Sequence, residues 1–218
     1  MVDYAITNDY IQFDGGYTKI NLYGTKQHCT AFRATSETEI HGGDKPAKIY
    51  IGEGNGNSAN DDSYVYGKIY GHVSFEMAID KTFSIYSDSK STGDLEVQKG
   101  ALNLAISYDK NGKVSSTGAW RNGTNIVVRG TGKLKTFSAN QFNREHTVVK
   151  LSDDGVLEIP EGVRQTVYDL YVDGVKVPGG MYGGTDAPDS VNKTYAKHFT
   201  GKGVLRVVRH GMMTIVVR

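Results

Sequence analysis

Short stretches of alternating apolar and polar residues, separated by glycine or polar turns, run through the chain. The pattern is clearest in LEVQKGALNL (95–104), IVVRGTGKLKTF (126–137) and VVKLSDDGVLEI (148–159). Side chains two residues apart on a strand face the same way, so each segment predicts a short strand, a turn and a second short strand. The three segments therefore indicate one repeated unit.

Glycines and leucines hold matching places in this repeat. Gly100, Gly132 and Gly155 come just before the second strand of each unit. The leucines that follow at the same offset are Leu102, Leu134 and Leu157. The intervals between the glycines lie within the range of roughly 20–50 residues that indicates a solenoid or an array. We interpret the longer interval as one coil with an inserted loop, residues 108–125, and predict a single-stranded, right-handed parallel β-helix.

The rest of the chain shows similar short strands. No amphipathic helical period extends beyond two turns, so helix content should be small. Irregular loops, rather than two-residue hairpin turns, separate the strands, which favours a parallel coil. We predict one domain over residues 1–218, with coils to about residue 166 and a closing module with a hairpin over 167–218. A β-sandwich or jelly roll stays open, since short strands with frequent turns describe it too.

Composition and charge narrow the classes of partner. The 218 residues include 27 glycines and 4 prolines, and the net charge is +1, which gives no broad basic face for nucleic acid. No apolar run is long enough to span a membrane, and the first residues lack a signal-peptide pattern. The single cysteine, Cys29, excludes an internal disulfide, and its apolar surroundings predict a buried, inert thiol.

Two motifs near the C-terminus are DLYVDGVKVPGGMYGG (169–184) and HFTGKGVLRVV (198–208). They resemble the closing module of bacterial autotransporter-associated β-strand repeat proteins. In that family a YVDG hairpin and a final GxGxLxV strand follow a string of β-helix coils. Tyr171, Val172, Asp173 and Gly174 match the hairpin, and Gly201, Gly203, Leu205 and Val207 match the strand. The resemblance implies an architecture but no particular ligand.

The whole chain is also similar to the parallel β-helical carbohydrate-binding modules appended to xylanases of gut bacteria. This likeness rests on length, coiled character and aromatic-bearing loops, without a diagnostic motif. It implies a non-catalytic module that binds xylan and works beside a linked glycoside hydrolase. We accordingly expect an extracellular or cell-surface location, an export signal outside this sequence, and a monomer.

The only tryptophan, Trp120, lies among glycines and polar residues in TGAWRNGTN (117–125). It could be a stacking platform for a sugar ring, with Arg121, Asn122 and Asn125 binding the hydroxyl groups. Alternatively, the ring folds back to cover the side of the solenoid. The sequence leaves both interpretations open.

Tyrosines cluster in YVYGKIYG (64–71), where residues two apart should share a face. They could form a row of rings along an extended glycan groove, or an aromatic ladder that only stabilises neighbouring strands. The tyrosines that we assign to the groove are Tyr64, Tyr66, Tyr70, Tyr86 and Tyr108. The sequence does not decide between a groove and a ladder.

We predict no cofactor. Asp61 and Asp62 lie in an oxygen-rich loop with Asn55, Asn57 and Asn60, where calcium is the alternative, but such residues are also common in turns. The histidines show no zinc-binding spacing.

Two further hypotheses remain beside the binding module. One is a fragment of a surface-displayed β-helix without a ligand, and the other is a polysaccharide-cleaving enzyme, which needs two positioned carboxylates. The candidate carboxylates are Glu37, Glu39, Glu53, Glu76, Asp80, Asp153 and Asp154. We interpret the last two as a turn. Arg144, Glu145 and His146 form a mixed cluster near Phe142, but no pattern connects them to a shared cleft, so we predict that the protein is not an enzyme.

Overall fold

The computed structural model describes residues 10–53 and 62–208. The protein is all-β, with 51% strand and 2% helix, which confirms the predicted class. The helical part is one 3-10 helix, Ala196–His198. The last part of the predicted closing module, residues 209–218, lies outside the described residues.

The strands are short, apart from β9 and β11. In chain order the first ten are β1 (Tyr10–Phe13), β2 (Thr18–Asn21), β3 (Lys26–Cys29), β4 (Ala31–Ala34), β5 (Thr38–His41), β6 (Ala47–Ile51), β7 (Ser63–Val65), β8 (Lys68–Gly71), β9 (Val73–Ile85) and β10 (Lys90–Ser91). The next seven are β11 (Leu95–Leu104), β12 (Ser107–Tyr108), β13 (Val114–Ser116), β14 (Asn125–Val128), β15 (Lys133–Thr136), β16 (Val148–Leu151) and β17 (Val156–Glu158). The last six are β18 (Arg164–Val167), β19 (Asp169–Val172), β20 (Val175–Lys176), β21 (Gly180–Tyr182), β22 (Phe199–Thr200) and β23 (Val204–Val207).

Parallel pairing between strands that lie far apart in the chain dominates the fold. A 14-stranded sheet joins strands from β1 to β22, and a 4-stranded sheet has the order β10-β8-β5-β2. The first part of β11 pairs with β9 and β14, and its second part pairs with β9 and β15. The chain therefore returns repeatedly to the same rows of strands.

Antiparallel pairing among the described strands is limited to three ribbons: β12 with β13, β19 with β20, and β21 with β23. The first ribbon lies in the segment predicted as an inserted loop. The second turns at Asp173 and Gly174, both with positive φ, and is the predicted YVDG hairpin. The structure thus confirms that hairpin.

The core consists of rows of apolar side chains stacked from one strand to the next. Leu102 pairs with Leu134, Leu134 pairs with Leu157, and all three are fully buried. The same row continues to Phe199. Burial of each such side chain contributes about 1.5–3 kcal/mol. The leucine offset seen in the sequence is therefore the register of this row.

Two of the repeated glycines mark places where backbones approach closely. A Cβ atom on Gly132 would overlap the carbonyl oxygen of Val97, and one on Gly155 would overlap that of Val128. Val97 lies on β11 and Val128 ends β14, so any side chain at these glycines would push apart segments that pack closely.

The stacked row yields a stability prediction. Leu134→Ala should lower the free energy of unfolding by about 2–5 kcal/mol, because it opens a cavity between two fully buried leucines. Urea unfolding followed by circular dichroism measures this loss. The control is Val175→Ala. Val175 is 65% exposed, so this substitution should change the free energy of unfolding by less than about 0.5 kcal/mol. Equal unfolding midpoints for both variants would contradict the stacked core.

Candidate functional site

Trp120 lies inside the core, with none of its surface exposed. Its indole Nε1 donates a hydrogen bond to the carbonyl oxygen of Gly93 at 2.9 Å, and its ring meets Phe75 edge-on at 6.0 Å between centroids. A backbone hydrogen bond also fixes this segment, because the Trp120 N–H donates to the carbonyl oxygen of Gln141 at 2.8 Å. The hypothesis that Trp120 is a stacking platform for sugar is therefore wrong.

The polar neighbours of Trp120 do not gather around an accessible ring. Arg121 is exposed, and its Nε donates to the carbonyl oxygen of Asn140 at 2.8 Å. Asn122 is exposed, whereas Asn125 is half-buried and its Nδ2 donates to the Asp94 carboxylate at 3.2 Å. These residues anchor the loop or face solvent, and the predicted sugar site around Trp120 is not formed.

Four of the five predicted tyrosines line one open groove of about 590 Å³. We call this site the tyrosine groove, and its aromatic residues are Tyr66, Tyr70, Tyr86 and Tyr108. Its other lining residues are Ser36, Lys68, Ile69, Ser87, Asp88, Lys90, Ser107, Ser115 and Ser116. The structure therefore brings together residues that are widely separated in sequence.

Two rings at the centre of the groove are stacked on each other. Tyr66 and Tyr86 have centroids 4.2 Å apart and planes within 8° of parallel. Tyr64 contacts Tyr66 edge-on at 5.5 Å, as expected for residues predicted to share a face, but it does not line the groove. Burial and the neighbouring Tyr86 raise the pKa of Tyr66, so its phenol stays protonated at neutral pH. The stacked rings of the predicted ladder, Tyr66 and Tyr86, therefore also line the groove.

Tyr70 and Tyr108, the other two tyrosines of the groove, differ in how neighbouring groups hold their rings. Tyr70, on β8, stacks on His41 at 4.8 Å between centroids, and the Nζ of Lys90 lies 5.6 Å from its ring. Tyr108 is 62% exposed at the β12–β13 ribbon. One ring is therefore held by neighbours on both sides, whereas the other is presented to solvent on a ribbon that the sequence showed only as a loop.

Asp88 is the carboxylate in the lining of the groove. Its Oδ1 accepts hydrogen bonds from the backbone N–H of Thr117 and Ala119, at 3.0 and 3.1 Å, and from the Thr117 hydroxyl at 2.9 Å. Partial burial raises the pKa of this carboxyl, but these bonds and the charge of Arg121 outweigh it and hold the pKa below its usual value. Asp88 therefore fixes the inserted loop as a carboxylate.

Other candidate carboxylates serve separate structural contacts. Glu76 accepts hydrogen bonds from Lys48 and Gln98, each at 2.5 Å. Glu53 pairs with Lys99 at 3.0 Å.

Glu37 and Glu39 line a depression next to the groove, with which it shares Ser36 and Lys68, whereas other candidate groups of the enzyme hypothesis lie apart from it. Asp153 has a φ of 56°, in the turn that the sequence predicts. Arg144 and Glu145 line a separate depression, while Phe142 is buried.

The metal and thiol predictions have different outcomes. Asp61 lies outside the described residues, and Asp62 binds the protein itself, with its Oδ1 accepting from Thr82 N at 3.1 Å. Among residues 10–53 and 62–208, no group of three or more His, Cys, Asp and Glu residues could hold a metal ion. Burial raises the pKa of the Cys29 thiol to about 12, which agrees with the predicted inert thiol.

No protein-family model matches this chain, and comparisons with curated proteins and with solved structures found no match either. In the part of the chain that the structure describes, no helix has the length and apolar character needed to cross a membrane.

The burial of Trp120 can be tested by fluorescence, because it is the only tryptophan. We expect blue-shifted emission that acrylamide quenches weakly in the folded protein and strongly after unfolding in guanidinium. Polysaccharides that bind the protein should leave this emission unchanged, since the ring contacts only the core. Quenching of the folded protein as strong as that of the unfolded chain would contradict the buried position.

The hydrogen bonds of Asp88 predict a pH-dependent contribution to stability. Its folded-state pKa is lowered, so the contribution is present above the unfolded-state pKa and is lost as the pH falls through the folded-state pKa. Asp88→Asn should therefore be less stable than the parent at pH 7, with a small difference because water screens the exposed carboxylate. Thermal unfolding from pH 7 to pH 2 should show this difference shrinking in acid.

The matched control is Asp186→Asn, at an exposed position. Its stability over the same pH range provides the baseline for the removal of one exposed carboxylate. A difference for Asp88→Asn that stays constant down to pH 2 would show that the carboxylate charge does not stabilise the loop.

Proposed function

We propose that this protein is a non-catalytic carbohydrate-binding module for a plant cell-wall polysaccharide, with xylan as the predicted ligand. The observation that carries the proposal is the tyrosine groove. It places four phenol rings, several serine hydroxyls and two lysines along one open surface. Flat aromatic rings match the C–H faces of sugars, and the polar side chains can bind sugar hydroxyls.

The stacking within the groove supports binding without a large ordering cost. Tyr66 is 43% exposed, yet its ring is already fixed against Tyr86. A ring that is held in place before binding loses little side-chain freedom when a sugar docks on it. Preorganised rings in an open groove suit a long ligand that enters from the side.

The chemistry of the lining favours binding over cleavage. Among the described residues of the groove, the carboxylate is Asp88, and its Oδ1 is occupied by donors of the protein itself. Hydrolysis of a glycosidic bond normally uses two free carboxylates on either side of that bond. In the proposed role, the module holds a linked glycoside hydrolase near its substrate outside the cell and raises the local enzyme concentration.

The fold that we propose to carry the groove is a single right-handed parallel β-helix. It is supported by the parallel rows of strands and by one core cluster that extends from Ile11 to Val207. Right-handed connections between parallel strands are strongly preferred, which favours that hand. Such rows are also what a ligand-free stalk fragment would need, so the stalk is the second candidate function.

Native affinity electrophoresis tests the binding proposal. In gels containing xylan, mixed-linkage glucan, xyloglucan, mannan or pectin, we expect the protein to be retarded, foremost by xylan. Tyr66→Ala and Tyr108→Ala should each weaken the affinity by several-fold to about tenfold, because each removes one stacking ring. The control is Tyr23→Ala, which removes a ring that is 61% exposed and does not line the groove.

Each other outcome points to a different function. Unretarded migration in every gel would contradict the binding module and favour the stalk. Equal losses for Tyr23→Ala and the groove variants would contradict the site. Release of reducing ends from any of these polysaccharides would instead support the enzyme hypothesis.

A further inference from the structure

Two lysines of the tyrosine groove form no ion pair with a carboxylate of the described residues. Lys68 lies on β8 and Lys90 on β10, and both are exposed. Lys90 pairs in register with Tyr70, and Lys68 is two residues before Tyr70 on the same strand. No carboxylate in the described part of the chain forms an ion pair with either ammonium group. The groove therefore presents two exposed lysines near Tyr70, of which Lys90 has its Nζ 5.6 Å from the ring.

Three carboxylates border these lysines, namely Glu37, Glu39 and Asp88, and the last two accept hydrogen bonds from other groups of the protein. Glu39 is the register partner of Lys68, but its Oε2 accepts from the Tyr17 hydroxyl at 2.9 Å and lies 3.2 Å from His41 Nε2. Asp88 uses its Oδ1 to hold the inserted loop. Hydrogen bonds from His41 and Tyr17, together with the charges of His41 and Lys68, lower the pKa of Glu39, so this carboxylate lies within electrostatic range of Lys68. Within the described residues neither ammonium group forms an ion pair, so both can still bind negative groups of a ligand.

The groove also continues beyond its tyrosines. A second depression of about 450 Å³ is lined by Tyr17, Glu37 and Glu39, and it shares Ser36 and Lys68 with the tyrosine groove. Lys68 therefore stands where the two depressions join.

The lining of the two depressions includes residues of β10, β8 and β5, and Tyr17 just before β2, so together they form a track across neighbouring strands of this sheet. Neighbouring strands lie about 4.8 Å apart, which is close to the advance of one sugar in an extended β-1,4-linked chain. A ligand along this track can place successive sugars over successive strands.

We propose that this track binds an acidic, uronate-bearing polysaccharide, with Lys68 and Lys90 pairing with its carboxylates. The inference rests on the proposed carbohydrate-binding function and names the chemical class of its ligand. The rings hold the uncharged sugar faces, and each lysine supplies a mobile point charge on a flexible stem. Such a charge suits side-chain uronates that occur at irregular intervals along a backbone.

Glucuronoxylan and its carboxyl-reduced form provide a matched pair of ligands. Reduction converts each uronic acid to a neutral sugar and leaves the backbone intact. We expect the parent protein to bind glucuronoxylan about tenfold more tightly at low salt, since each exposed pair contributes only a few-fold. High salt should remove most of this preference, because it screens exposed charges.

The test variant is Lys68→Gln combined with Lys90→Gln. It should bind both ligands alike, with the affinity that the parent shows for the carboxyl-reduced form. The control, Lys150→Gln, removes an exposed lysine of β16 outside the groove and should keep the full preference. Affinity gels containing each ligand provide the measurement.

The outcomes separate the two proposals. If the parent binds both ligands equally, or the double variant keeps the preference, the uronate inference is wrong, whereas continued loss in Tyr66→Ala would leave the binding module standing. If a sulfated glycan is preferred over glucuronoxylan, the lysines recognise a different anion and the inference is also wrong. If neither ligand binds, this inference is wrong, and the gels with the other polysaccharides decide whether the binding module stands.

Discussion

The structure depends on parallel, in-register stacking of side chains between strands that are distant in sequence. Leu102, Leu134 and Leu157 can form one row only if each strand keeps the same register as the one before it. A slip by one residue would turn the whole row outward. The corner glycines act under the same constraint, because Gly155 leaves room for the carbonyl of Val128.

The same constraint arranges the outward side chains. In a parallel row, equivalent outward positions also lie one above another, so rings on successive strands come into contact. His41 and Tyr70 are register partners and stack, and Tyr66 and Tyr86 stack at a neighbouring corner. The rings of the groove therefore stack for the same reason as the leucines of the core, and the distance between rings follows from the distance between strands.

The sequence predicted those parts of the fold and site that repeat. Alternation and the leucine offset indicated all-β structure and the register of the core, and the tyrosine cluster indicated where rings collect. The sequence left the position of Trp120 open because its neighbours in sequence are polar, while its contacts, Phe75 and Gly93, lie on distant segments. The sequence feature that agrees with a buried ring is Gly123, because a Cβ atom there would overlap the indole of Trp120. The position of Tyr108 in the groove depends on the β12–β13 ribbon, whose sequence lacks the alternating pattern of a strand.

The dual role of the rings affects how any loss of binding should be interpreted. Tyr66 and Tyr86 stabilise each other, so truncating either one removes a structural contact together with a sugar-binding surface. Tyr108 is more exposed, so removal of its ring costs little packing. A loss of affinity shared by Tyr66 and Tyr108 variants therefore reports on contact with ligand, whereas a loss confined to Tyr66 reports on the ladder. The geometry of the groove itself supplies this distinction between stability and recognition.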